Sequence, residues 1–245
     1  MRRFFFDRKS LDGDSVELPQ TESRHIVKAL RLQAGDAIEL LDGKGSVFSA
    51  IITIIGKTVK ARIVEQVNSE DNDTIPLVVC QGHLKGKKMD LVIQKCTELG
   101  VNQFIPLWTS RCQGKISEHH GQKKLERYQR IVESACKQCY RPDLMEMEET
   151  IEFSELVQSF PDSPGLVKLM FWEEEGQVSL HDPVIPEDVK KAILLLGPEG
   201  GLSLEEAELA RASGWQTVSL GKRILRAETA TLTATSVVQF LVKNM

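Results

Sequence analysis

The chain has 245 residues, 41% of them hydrophobic, and a formal net charge of −4 at pH 7, enough to bury one large core or two smaller ones. No stretch approaches the roughly 20 apolar residues of a membrane span, and the three aromatics after Arg3 are too few for a signal-peptide apolar region. A soluble, cytoplasmic protein is expected.

From the N-terminus, RFFF (3–6) reads as a strand and a helix is predicted around Arg24 to Leu32. After the turn Ala34-Gly35-Asp36, the runs AIELL, SVFSAIITII and TVKARIVEQV read as strands. Punctuation by Asp42-Gly43, Gly45 and Gly56 suits hairpins that close into a small barrel. The polar stretch 68–74 (NSEDNDT) breaks all periodicity and reads as a linker. Two domains are therefore expected, 1–72 and 73–245.

Beyond the linker, strands alternate with helices, the pattern of an α/β layer around a mostly parallel sheet. LVVCQG (77–82) is a strand; Met89, Val92, Ile93 and Cys96 then fall at i, i+3, i+4 and i+7 of a helix that Gly100 can end. Lys88, Gln94, Lys95 and Glu98 lie opposite that apolar stripe. QFIPLW (103–108) is the next strand, followed by a long helix from about 120 to 139, with His119 and His120 as solvated loop residues. This middle region is basic: 83–141 holds 12 Lys and Arg against 5 Asp and Glu, whereas 142–210 holds 3 against 17. A local basic face can meet phosphates even in an acidic protein, and it can equally be an ordinary solvated surface.

The five cysteines are odd in number and scattered, which fits a reducing compartment. Cys136 and Cys139 have C-x-x-C spacing, but no second pair or nearby histidine pair completes a metal site, so no metal is expected. GLVKLMFW (165–172) and the uniformly apolar AILLLG (192–197) read as strands, the second buried on both faces. Ser203 and Glu206 form a capping-box signature for a helix to about Ala212, and TVSL (217–220) is a further strand. The last helix is expected to bury Ala234, Val237, Val238 and Leu241.

Chemistry is expected where strands run into glycine-rich turns at their carboxyl ends, and two such turns occur within thirty residues. In LLLGPEGGLSLEE (194–206), Gly197, Gly200 and Gly201 let a ligand approach the backbone ahead of a helix start. In LGKRILRAETA (220–230), Gly221 opens a loop carrying Lys222, Arg223 and Arg226. Neither is G-x-G-x-x-G or G-x-x-x-x-G-K-[ST], so hydride and phosphoryl transfer lack their usual cradles.

These paired segments resemble the RsmE-type ribosomal RNA uridine N3-methyltransferases of the SPOUT superfamily. The resemblance extends to MRRFFF at the start, HIVKALRLQAGDAIELLDGKG (25–45), KGKKMDLVIQKCTELGV (85–101) and Arg141, so it covers nearly the whole chain. Where that family commonly shows EQSGR, this chain has CKQCYR (136–141). The resemblance implies an α/β fold in which a SPOUT-type trefoil-knot methyltransferase domain follows a small PUA-like β-barrel that binds RNA. It also implies a homodimer with the knot at the interface, and S-adenosylmethionine as methyl donor. The donor pocket would be Leu196, Gly197, Pro198, Glu199, Gly200 and Gly201 with Leu220, Gly221, Ile224, Leu225 and Arg226, where Ile224 and Leu225 flank the adenine.

On that reading, negative charge builds on the uracil as N3 loses its proton, and a positioned cation stabilises it. Arg226 is the first candidate, unless it ties the loop to a carboxylate such as Glu228. Glu199 is the candidate proton acceptor, unless it caps the helix that follows. Arg2, Arg3, Arg31, Lys87, Lys88, Gln94 and Arg141 are the candidates for holding ribosomal RNA or the small subunit around an unpaired or extruded base. Two other readings stay open: a PUA-like RNA-binding protein without catalysis, and a SPOUT enzyme acting on transfer RNA.

Overall fold

The computed structural model of the chain describes residues 1–67, 74–112, 118–175, 178 and 185–245, with the side chains of 118–120 left aside. All of the expected linker 68–74 except residue 74 thus lies outside the described residues. By compactness the chain forms two units: Met1–Asn72 with Glu133–Leu144, and Asp73–Val132 with Met145–Met245.

The first unit contains β1 (Arg3–Phe5), β2 (Leu11–Asp12), β3 (Ser15–Glu17), α1 (Gln20–Arg24, continued by a wider turn over His25–Leu30), β4 (Ala37–Leu41), β5 (Val47–Ile55) and β6 (Val59–Val67). They form one sheet in the order β1-β4-β5-β6-β3-β2, antiparallel except for β1 with β4. Alternation places Phe4, Ile38, Leu40 and Ile52 in the core beside Val16, Leu18 and Ile26 from the intervening segments. The two hairpins fall where the glycines predict: Asp42 N–H meets Ser46 O at 3.3 Å and Gly56 N–H meets Thr58 O at 3.2 Å. The helix starts at Gln20, earlier than expected, with Pro19 at its N-cap position accepting from Ser23 N–H at 2.9 Å through its carbonyl. Strands β2 and β3 were not expected; they are too short to show periodicity.

The second unit contains β7 (Leu77–Gly82), α2 (Lys87–Glu98), β8 (Gln103–Trp108), α3 (Glu118–Cys139), β9 (Glu146–Met147), β10 (Ile151–Glu152), α4 (Phe153–Ser159), β11 (Leu166–Phe171), β12 (Lys191–Leu196), α5 (Leu204–Ala212), β13 (Gln216–Val218) and α6 (Ala227–Leu241); the last turns of α3 belong to the first unit. All its strand pairs are parallel, in the order β10-β8-β7-β12-β11-β13 with β9 beside β8. Central β7 and β12 are covered on both faces, which is why they read as unbroken apolar runs. One face packs Val78, Cys80, Ile193 and Leu195 against Leu156, Ala207 and Trp215.

Three expectations need correction. Helix α3 already includes residues 119 and 120, so these histidines are not in a loop; their side chains lie outside the described residues. Helix α6 buries Thr231, Ala234, Thr235, Val238 and Gln239, whereas Leu241 is 38% exposed and Val237 half-buried. Two of the buried polar residues are bonded, Gln239 Nε2 donating to Leu99 O at 2.6 Å and Thr231 Oγ1 to Ala227 O at 2.9 Å, whereas Thr235 Oγ1 has no hydrogen-bond partner among the described residues. Finally, α4 was not anticipated, being only seven residues long. Among the described residues no helix is long and apolar enough to cross a membrane, and no cluster of three or more His, Cys, Asp or Glu could hold a metal ion.

Candidate functional site

Because β7, β12, β11 and β13 run in one direction, the loops that follow them gather along one edge of the sheet. There the segments 196–201 and 220–226 border a shared cavity of about 650 Å³. Leu196, Gly197, Pro198, Glu199 and Gly201 line it from the first segment, and Leu220, Gly221, Ile224, Leu225 and Arg226 from the second. Gly200 does not line it; the Gly200 carbonyl instead accepts from Arg111 Nη1 at 3.0 Å.

Two glycines are dictated by close approach. A Cβ on Gly82 would lie 2.6 Å from Pro198 N, so only glycine lets the first loop cross the end of β7. Gly201 has φ +69°, and a Cβ there would fall on the Glu173 carboxylate. The same crossing is bonded from below: Gln81 Nε2 donates to Gly197 O at 2.9 Å and to Gly82 O at 3.0 Å, and Gln81 Oε1 accepts from Thr231 Oγ1 of α6. After the loop, the capping box closes as expected, with Glu206 N–H to Ser203 Oγ at 3.2 Å and Ser203 N–H to Glu206 Oε2 at 2.9 Å.

Glu199 does not cap that helix. Its Oε1 accepts from Lys85 N–H at 3.0 Å, ahead of α2, and lies 3.4 Å from Lys88 Nζ. Burial pushes the Glu199 carboxyl up, but the Lys85 and Glu199 backbone N–H groups and Lys88 outweigh it and hold the carboxyl below its ordinary value. Lys88 also stands 3.3 Å from Glu228 Oε2, an ion pair without hydrogen-bond geometry, since that oxygen has no hydrogen-bond partner. Arg226 occupies the N-cap position of α6, where its carbonyl accepts from Ala230 N–H at 2.8 Å; its side chain is exposed and among the described residues makes no hydrogen bond or ion pair. The tie between Arg226 and Glu228 is therefore absent; Glu228 pairs with Lys88 instead.

The cavity wall contributed by the end of β11 escaped sequence reading. Phe171, Trp172, Glu173 and Glu175 line it. Trp172 Nε1 donates to Leu202 O at 3.3 Å, and the Arg211 guanidinium lies 5.0 Å from the Trp172 ring centre while pairing with Glu175 at 3.1 Å. The only signal was FWEEE at a strand end, for which no spacing rule exists.

Of the cations and amide singled out for RNA, Arg2, Arg31 and Lys87 are exposed. Arg3 pairs with Glu39 at 2.6 Å and stacks on Tyr140, Arg141 pairs with Asp143 at 2.7 Å, and Gln94 donates to Glu98 at 3.0 Å. Lys88 turns into the cavity, between two carboxylates.

This architecture matches known proteins in both parts. The family described as RNA methyltransferase domain matches residues 71–239, and the one described as RNA methyltransferase PUA domain matches 18–64. A ribosomal RNA small subunit methyltransferase E from Bacillus subtilis is 30% identical over 249 residues, covering 98% of this chain and 96% of its own. The chain belongs to the ribosomal RNA small subunit methyltransferase E family. It accordingly has an N-terminal PUA-like domain and an α/β methyltransferase domain. A crystal structure of the family member from Neisseria gonorrhoeae bound to S-adenosyl methionine is 33% identical with a TM-score of 0.87, covering 98% of both chains. A Legionella pneumophila methyltransferase in complex with the cofactor SAM is 31% identical with a TM-score of 0.90, again over 98% of both chains.

Proposed function

We propose that this protein transfers the methyl group of S-adenosylmethionine to N3 of one uridine in small-subunit ribosomal RNA. The observation that carries the reading is the cavity shared by the two glycine-bearing loops, with Arg226 at its edge, its side chain without an ion pair among the described residues. Its walls fit a nucleoside-bearing donor: main chain approachable at Gly197, Gly201 and Gly221, apolar surface at Leu196, Leu220, Ile224 and Leu225, and a carboxylate at Glu173 for a cationic ligand. When bound, the donor supplies an electrophilic methyl carbon on a sulfonium.

Leu196, Gly197, Pro198, Gly201, Leu220, Gly221, Ile224 and Leu225 hold the donor, with Gly200 bracing the turn through Arg111. Arg226 faces the charge that develops on the uracil and orients the base. Glu199 serves as an anchor rather than a proton acceptor, because a carboxylate engaged by several donors is a weakened base. In the first unit, Arg2 and Arg31 meet RNA phosphates, as does Lys87 in the second. The family further supports closure of the first unit as a PUA-like barrel, a trefoil knot in the second, a homodimer and a cytoplasmic location.

Mass spectrometry of nucleosides from small-subunit RNA tests the reaction. A strain lacking the gene is expected to lose one 3-methyluridine, restored by the wild-type gene; retention of that nucleoside with loss of a different methylated one overturns the proposal.

The Glu199 anchor has its own pH signature. A carboxylate held below its ordinary value of 4.5 stabilises the loop fully above that pH and loses the effect as pH falls through the lowered value. Donor affinity, read by calorimetry, is therefore expected to fall below pH 4.5 in the wild type. Glu199→Gln is expected to bind more weakly at neutral pH and to show no such fall.

A further inference from the structure

The donor reading of the cavity leaves open how its two loops, which come from separate strands, are kept in register. Gln81 and Thr231 are both completely buried, and neither lines the cavity. Gly197, to whose carbonyl Gln81 donates, does line it, and so do Ala227 and Ala230 on the turn of α6 that carries Thr231.

The orientation of the Gln81 amide follows from its surroundings. Two carbonyl oxygens, Gly82 O and Gly197 O, lie within 3.0 Å of one end of the group, so that end must be the NH2; turned over, the amide would set oxygen against oxygen twice. The Oε1 then depends on a hydrogen from elsewhere, and the Thr231 hydroxyl supplies it at 2.5 Å. Thr231 has an alternative acceptor, Ala227 O one turn back at 2.9 Å, and a hydroxyl has only one hydrogen. The contact to Gln81 is the shorter, and both side chains are fully buried, where an unmet amide oxygen is costly.

We infer that Gln81 and Thr231 form a positioning pair that locks the first donor loop to α6, and through the start of α6 to the second loop ending at Arg226. Donor affinity then depends on a hydrogen bond that no ligand atom touches. The inference rests on the donor reading, so the test begins with the wild-type protein.

Calorimetry with S-adenosylmethionine is expected to show binding to the wild type. Thr231→Val, which keeps the shape and removes the hydroxyl, is expected to bind the donor about tenfold more weakly. Its donor KM rises by more than kcat falls, and Thr231→Ser restores affinity to within about twofold. Gln81→Met is expected to show the same loss, with the double variant no weaker than Gln81→Met alone. Should Gln81→Met fail to fold, the Thr231→Val and Thr231→Ser pair decides.

Donor affinity equal to wild type in Thr231→Val, with only its melting temperature lowered, would make the pair structural and overturn the inference. Additive losses in the double variant would also overturn it, since the two residues would then act separately. A wild type that binds no donor overturns the donor reading itself, a result distinguishable from a binding wild type with unaffected variants.

Discussion

Arg226→Ala is expected to leave the protein folded and to slow methyl transfer by about 10²- to 10³-fold, the effect of removing one preorganised charge-stabilising donor from a site. The side chain is exposed, lines the cavity, and among the described residues holds neither a hydrogen bond nor an ion pair. Truncation therefore strands no buried partner, and stability is expected to change by no more than about 0.5 kcal/mol. Arg226→Lys keeps the charge but loses the planar fork, so it should recover only part of the rate. Initial rates on small-subunit RNA at saturating donor, with a thermal melt of each variant, check this. Near-normal turnover of Arg226→Ala would remove Arg226 from the reaction.

Gly82→Ala is expected to disrupt the donor site. The added Cβ would sit 2.6 Å from Pro198 N, 2.7 Å from Pro198 Cδ and 3.0 Å from Gly197 C, which are backbone atoms and a rigid ring carbon with no rotamer to yield. The first loop must lift away from β7, breaking the bond from Gln81 Nε2 to Gly197 O. Overpacking of this kind costs about 1–3 kcal/mol, and donor affinity should fall by at least about tenfold as the loop moves. Gly121→Ala is the control: in helix α3, a Cβ there meets nothing within 4 Å. It is expected to stabilise by about 0.5–1 kcal/mol through helix propensity alone. Chemical denaturation and donor calorimetry on both variants separate the two outcomes, and wild-type affinity in Gly82→Ala would show that the crossing is not rigid.

Much of the second unit was legible because its signals are local. The i, i+3, i+4, i+7 stripe of Met89, Val92, Ile93 and Cys96 is buried as expected, and both bonds of the Ser203–Glu206 capping box form. The same box does something no local pattern encodes: Glu206 Oε1 also accepts from Ser110 N–H at 2.7 Å, pinning the loop after β8. Helix α6 was misread along one face for the opposite reason. Apolar periodicity favours Leu241, yet Thr231 and Gln239 are buried because distant partners satisfy them.

Lys88 shows the limit most plainly. Its place on the polar side of α2 made it a candidate for RNA, and only the approach of Glu199 and Glu228 turns its ammonium toward the cavity. Composition, periodicity and glycine placement determined by themselves a β-rich module followed by a parallel α/β layer, and the two loops where a ligand meets main chain. Those features depend on neighbours a few residues apart. Which side chains face one another across the cavity was decided only by the parallel pairing of β7, β12, β11 and β13, which brings Gln81, Glu173, Gly197 and Arg226 to one edge of the sheet. Hydrogen bonds and ion pairs between residues so far apart in the chain leave no spacing rule to read, so Gln81 and Glu173 had no signal, whereas Gly197 and Arg226 did.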